Sequence, residues 1–263
     1  MKITVLSENT SYREGILAEH GLSLYIEADG KKILFDTGAS ALFSENAKKL
    51  EIELSSVDTA VISHGHYDHG GGLSEFLRIN KKASVYISRF AFEPHYNASF
   101  KDIGLDTALS ESERLVFTED VLEISKGITL FSCNGRERAY KTDPAGQKCV
   151  KNGVLCDEDF RHEQYLLIEE AGKRVLFSGC SHKGILNICE WFSPDVLVGG
   201  FHFMKLDTQG EGKAVLERAA RVLLLSPAKY YTAHCTGEAQ YAFLKERMGE
   251  RLEYIRAGAS FEL

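Results

Sequence analysis

No stretch of this sequence approaches the roughly 20 consecutive apolar residues that cross a bilayer, and Met1 to Glu8 lacks the apolar core of an export signal. The chain is therefore expected to be soluble and cytoplasmic, without a membrane partner. Positive charge is also scarce: 31 Lys and Arg stand against 38 Asp and Glu, a formal net charge of −7. A surface of that sign does not track a phosphate backbone, so no nucleic-acid partner is expected. There is no CxxC pair. Cys133, Cys149, Cys156, Cys180, Cys189 and Cys235 lie apart, as reduced thiols in a chain long enough to fold without disulfides. Low-complexity linkers are missing too. The 263 residues, 44% of them hydrophobic, can fill the core of one large domain or two small ones.

What is present is a layered α/β pattern: short alternating β-branched runs, Gly-rich turns and amphipathic stretches. Strands are expected at Lys2–Ser7, Ser23–Glu27, Lys32–Phe35, Thr59–Ile62 and Ser84–Ile87. A second set is expected at Ile128–Ser132, Gln164–Glu169, Arg174–Phe177, Asp195–Val198, Lys229–Thr232 and Arg251–Ile255. Helices are expected at Ala41–Leu50, Gly184–Trp191, Gly212–Leu225 and Glu238–Met248. The two sets repeat. His20-Gly-Leu-Ser-Leu-Tyr-Ile-Glu through Leu34-Phe35-Asp36 matches His162-Glu-Gln-Tyr-Leu-Leu-Ile-Glu through Leu176-Phe177-Ser178 at a constant offset, 162 − 20 = 142. An internal duplication follows, with halves of about 1–126 and 127–263 packed into a single domain and loops from both building one site. Residues 133–160 read as an irregular insertion or lid. Its Arg136, Arg138, Lys141, Lys148 and Lys151 form a cationic excess, either a solvated loop or a surface that recognises an anion.

Histidine carries the chemistry. Three of the nine fall within Ile62-Ser-His64-Gly-His66-Tyr-Asp68-His69-Gly-Gly-Gly72, after an apolar strand and before an amphipathic helix. Imidazoles with a carboxylate at a strand-to-loop corner suit zinc or iron, and the glycines let the backbone turn tightly enough to aim them together.

His64-x-His66-x-Asp68-His69 resembles the hallmark of the metallo-β-lactamase superfamily, and the resemblance extends over nearly the whole chain. It implies a four-layer αββα sandwich of two similar halves and one or two divalent ions, zinc by preference and iron as the alternative. Carried over by position, the ligands are His64, His66 and His162 for one ion, and Asp68, His69 and His234 for the other, with Cys180 between or beside them. Asp36 would support the metal-binding histidines, and His20, the repeat partner of His162, would face the cleft beside them. Cys180 stands where a bridging Asp is usual, and His182, two residues on, can replace it; His162 then becomes a supporting residue. The sequence leaves that choice open. Asp68 would orient the nucleophile, a metal-activated hydroxide, while His182 and His202 are the candidates for the general acid. His95 has a weaker claim on the cleft, from a helix or loop after Arg89.

Gly179-Cys-Ser-His-Lys-Gly-Ile185, with Glu19-His-Gly-Leu-Ser23 and His234-Cys-Thr-Gly237, is similar to a branch of the superfamily. That branch contains the archaeal synthase of a dihydropterin-methyl ribofuranosyl-aminobenzene phosphate. The expected activity is hydrolysis of a small, anionic ester, lactone or phosphoester. A condensing enzyme of pterin cofactor biosynthesis and a di-iron redox protein are the alternatives.

Overall fold

The computed structural model describes residues 1–263. In chain order its elements are β1 (Lys2–Ser7), β2 (Ser23–Ala28), β3 (Lys31–Phe35), α1 (Leu42–Lys49), β4 (Thr59–Val61), α2 (Tyr67–Gly70), α3 (Leu73–Ile79), β5 (Ser84–Ser88), β6 (His95–Tyr96), β7 (Leu115–Thr118), β8 (Val121–Ser125) and β9 (Ile128–Phe131). There follow β10 (Lys148–Lys151), β11 (Val154–Asp157), β12 (Tyr165–Glu170), β13 (Lys173–Gly179), α4 (Ile185–Phe192), β14 (Val196–Gly199), α5 (Glu211–Leu223), β15 (Lys229–Thr232), α6 (Glu238–Met248), β16 (Leu252–Tyr254) and β17 (Ser260–Glu262).

Two seven-stranded sheets run β17-β1-β2-β3-β4-β5-β7 and β8-β9-β12-β13-β14-β15-β16. Read in those orders, both sheets pair antiparallel across the first three contacts and parallel across the last three. The repeat keeps its register. Ile26 pairs with Ile33 and Leu24 with Phe35 in the first hairpin; Ile168 pairs with Val175 and Leu166 with Phe177 in the second, every position 142 residues on. Both hairpins turn on two residues of positive φ, Asp29-Gly30 and Ala171-Gly172, the primed turn whose twist matches that of the strands.

The inward faces of the sheets meet over Ile3, Val5, Ile26 and Phe35 from one side and Leu130, Leu166, Ile168 and Phe177 from the other. Phe35 and its repeat partner Phe177 touch, with ring centroids 5.7 Å apart. Outside, Phe43 and Ala47 of α1 with Leu73 and Phe76 of α3 cover the first sheet. Ile188, Leu216, Leu223 and Leu244 of α4, α5 and α6 cover the second. The result is the four-layer αββα sandwich.

Two details depart from the sequence reading. The halves do not divide at 126: β8 already belongs to the second sheet, and β17 returns the end of the chain to β1 in the first. Residues 133–160 are not irregular throughout, because β10 and β11 form a hairpin about Asn152-Gly153 and β10 also pairs with β6. The chain leaves the parallel strands β3, β4, β13, β14 and β15 directly into Asp36, Ser63, Cys180, His202 and His234 respectively, all of which meet at one edge of the sandwich.

Candidate metal centre

Sharp exits from these strands aim the side chains. Asp36, Ser181, His202 and His234 all have positive φ, 61°, 59°, 57° and 52°, in the left-handed region that non-glycine residues avoid. Strain of this kind persists only where surrounding contacts over-determine it, and here it collects at four strand ends around one cleft. Gly179 (φ 61°) is required for a second reason, since a Cβ there would collide with Ser63.

The hydrogen bonds select which ring nitrogens are free. Asp36, fully buried, accepts from the Ser63 amide (2.6 Å), the Ser63 hydroxyl (2.7 Å) and His69 Nδ1 (2.7 Å). Having donated its proton, the Ser63 hydroxyl accepts from His64 Nδ1 at 2.8 Å. His234 Nδ1 donates to Asn9 Oδ1 at 2.7 Å, and the His234 amide to Glu8 at 2.7 Å. Each of these rings thus has its Nδ1–H occupied and turns Nε2 into the cleft, the orientation in which imidazole binds a metal.

The free atoms converge. His64 Nε2 lies 3.3 Å from His182 Nε2, and both groups stand close to His66, whose Nε2 is buried without a partner. Across the cleft, Asp68 Oδ2 lies 3.2 Å from His234 Nε2 and 3.3 Å from His20 Nε2. Bonds of 2.0–2.1 Å to a tetrahedral zinc place neighbouring nitrogens about 3.3–3.4 Å apart, so these separations match the edges of a coordination shell. Cys180 Sγ sits between the two groups, 3.1 Å from His69 Nε2 and close to His64 on one side and to His182 and His202 on the other.

His162 lies elsewhere. Its Nδ1 accepts from the Gly65 amide at 2.8 Å, so the neutral ring keeps its proton on Nε2 and has no lone pair left to offer. It stacks on His95 (centroids 4.0 Å) behind His66, and Glu158 of the lid accepts from His95 Nδ1 at 2.7 Å. His95 is itself fully buried on β6, not on a helix or loop. His182, by contrast, has Nδ1 buried and unpartnered, Nε2 directed at His64, and its amide held by Glu163 at 2.6 Å. The distances therefore group His182, rather than His162, with His64 and His66. His202 adjoins His182 with ring centroids 4.2 Å apart, and its buried Nδ1 is also free. His20 remains half exposed at the cleft wall.

Electrostatics divide the site. Burial pulls the His64, His66 and His182 rings well below their ordinary pKa, so they are neutral and ready to ligate. At His69 burial acts in the same direction, but the adjoining Asp36 carboxylate overrides it and lifts the ring to about 9. Asp68 is pushed up by burial and pulled further down by hydrogen bonds from His20 and His234, ending well below the usual carboxylate range. Burial pushes the Cys180 thiol up, so it keeps its proton until a cation displaces it.

Sequence reasoning missed Glu8, Asn9, Ser63 and Glu163. Their only signal is position, at a strand end or one residue from a histidine.

A family model described as the metallo-β-lactamase superfamily matches residues 17–137. An uncharacterized protein of Methanocaldococcus jannaschii is 30% identical over 246 residues, covering 89% of this chain and 90% of that protein. The 7,8-dihydropterin-6-methyl-4-(β-D-ribofuranosyl)-aminobenzene-5′-phosphate synthase of the same organism is 29% identical, covering 98% and 95%. A crystal structure described as a metal-dependent hydrolase of the β-lactamase superfamily superimposes with a TM-score of 0.84 at 29% identity, covering 100% of this chain and 99% of that one. With the sandwich, the histidine-rich edge and these matches in agreement, the chain belongs to the metallo-β-lactamase superfamily.

Proposed function

We propose that this protein is a hydrolase that uses two divalent metal ions, zinc by preference, on a small-molecule ester, lactone or phosphoester. The observation that supports it most is the set of imidazoles whose Nδ1–H groups are each held by Ser63, Asp36 or Asn9 while their Nε2 atoms face one cleft. His64, His66 and His182 hold one ion; Asp68, His69 and His234 hold the other, with His20 on the same Asp68 oxygen and the Cys180 sulfur between. Thiolate and imidazole favour zinc or iron over magnesium. Bound there, such ions supply Lewis acidity toward a carbonyl or phosphoryl oxygen and toward water.

The chain's own residues do the rest. Asp68, kept ionised by His20 and His234, accepts a hydrogen bond from the attacking water and orients it. His202, with Nδ1 free beside His182, holds a proton within reach of a leaving group. The cleft of ≈ 210 Å³ is narrow, which suits a small reacting group.

Metal analysis of protein purified without added metal tests the reading, with two zinc or iron ions per chain expected; full esterase or phosphoesterase activity in metal-stripped protein would sink it. The second reading is condensation in pterin cofactor biosynthesis. It is supported by the likeness to the M. jannaschii synthase along 98% of this chain. Turnover of a pterin and an aryl ribofuranosyl phosphate to a joined product, without hydrolysis of either, would favour it.

A further inference from the structure

A second cavity, of ≈ 340 Å³, adjoins the cleft, and His182 and His202 line both. Its floor is apolar, built from Ile185, Leu186, Phe201 and Phe203. Its rim carries Lys141 from the lid and Arg218 from α5. These cations differ from their neighbours. Elsewhere on the lid, Arg136 and Arg138 donate to the carbonyls of Trp191 and Asp159, Lys148 pairs with Asp157, and Lys151 pairs with Asp159. On α5, Glu217 is taken by Lys213 and Arg247. Lys141 and Arg218 have no carboxylate partner, and the one acid on the rim, Asp143, is turned onto the amide of Ala145.

The rim is held in place without a ligand. Tyr140 exchanges two hydrogen bonds of 2.8 Å with the buried Asn187 of α4, and Arg218 lies over the Tyr140 ring at 5.5 Å. Two unneutralised cations kept at the mouth of an apolar pocket, in a protein of net charge −7, need an anion to complete them. The cavity and cleft together fall within the range of about 300–1,000 Å³ of small-molecule sites.

We propose that this cavity selects the substrate, taking an aryl or similarly flat apolar compound that carries a phosphate or carboxylate. The apolar body lies on Phe201 and Phe203, the anionic group is held by Lys141 and Arg218, and the reacting bond extends past His182 and His202 into the metal cleft. The inference rests on the metal-dependent reading for the reacting end and adds the substrate class.

The test is calorimetric titration of the full chain with benzylphosphonate, which offers no bond to hydrolyse, using zinc-loaded and zinc-free protein. Replacing either cation, Lys141→Ala or Arg218→Ala, is expected to weaken binding about tenfold, and the pair about a hundredfold, with or without zinc. Inorganic phosphate, lacking the apolar body, is expected to bind more weakly. Both side chains are exposed, and unchanged zinc stoichiometry reports that the variants fold. The proposal is overturned if the double variant binds benzylphosphonate like the parent, if no binding is seen, or if binding vanishes with zinc. That last result leaves the hydrolase reading standing. The opposite pattern, cation-dependent phosphonate binding in a chain that takes up no metal, removes the hydrolase reading and keeps this one.

Discussion

The two sides of the cleft offer the same ligand, imidazole, in opposite electrostatic states. Around His64, His66 and His182 there is no carboxylate partner close enough to offset burial, so desolvation alone leaves three neutral rings. Around Asp68, His69, His234 and His20 the carboxylates of Asp36 and Asp68 retain protons on their neighbours. A cation entering the first group meets ready lone pairs; one entering the second must displace protons. Two sites built from the same residue type thus differ in when they fill, because metal and proton compete for the same nitrogen.

The largest test of that contrast is substitution of the ligands themselves. His182→Ala is expected to remove about one equivalent of metal and nearly all hydrolysis, while His162→Ala leaves the metal content unchanged, both read by elemental analysis. The reverse pattern would mean that the Gly65 amide does not hold His162 in the tautomer inferred here. Next, Asp36→Asn leaves His69 without its carboxylate and disturbs Ser63 and hence His64. Zinc affinity should fall about 10- to 100-fold in a competitive chelator titration.

Lowering pH should separate the two groups without mutation. Below the His69 value of about 9, one proton competes for its Nε2, so affinity of the second group falls by up to about tenfold per pH unit as pH drops. The first group, whose pKa values lie below the ordinary histidine value, should hold its metal to lower pH; simultaneous loss in an acid titration would contradict the comparison. The smallest effect is expected from Asn9→Ala. It frees His234 Nδ1 without touching a charge, and should weaken only the second metal, by several-fold.

Much of the fold was legible because it obeys period and turn chemistry. The hairpin repeat at 142 residues reappears with identical register, and the His64–Gly72 run lies at the strand-to-loop corner its glycines imply. The β10–β11 hairpin was legible too, since Asn152-Gly153 is a primed-turn signal, but the surrounding Gly, Lys and Asp hid it. Other features carry no local pattern. β17 pairs with β1 from the far end of the chain, and Glu8 holds the His234 amide across 226 residues.

The sequence by itself determined that this protein gathers histidines, an aspartate and a thiol at the strand ends of a duplicated sandwich, because residue type and spacing are local properties. It left open whether His162 or His182 faces the ion. That grouping depends on a single backbone amide, Gly65, donating to the His162 ring, and on Ser63, Asp36 and Asn9 fixing which nitrogen of each neighbour is free. Tautomers follow from hydrogen bonds between distant segments, and only the tertiary structure brings those segments together.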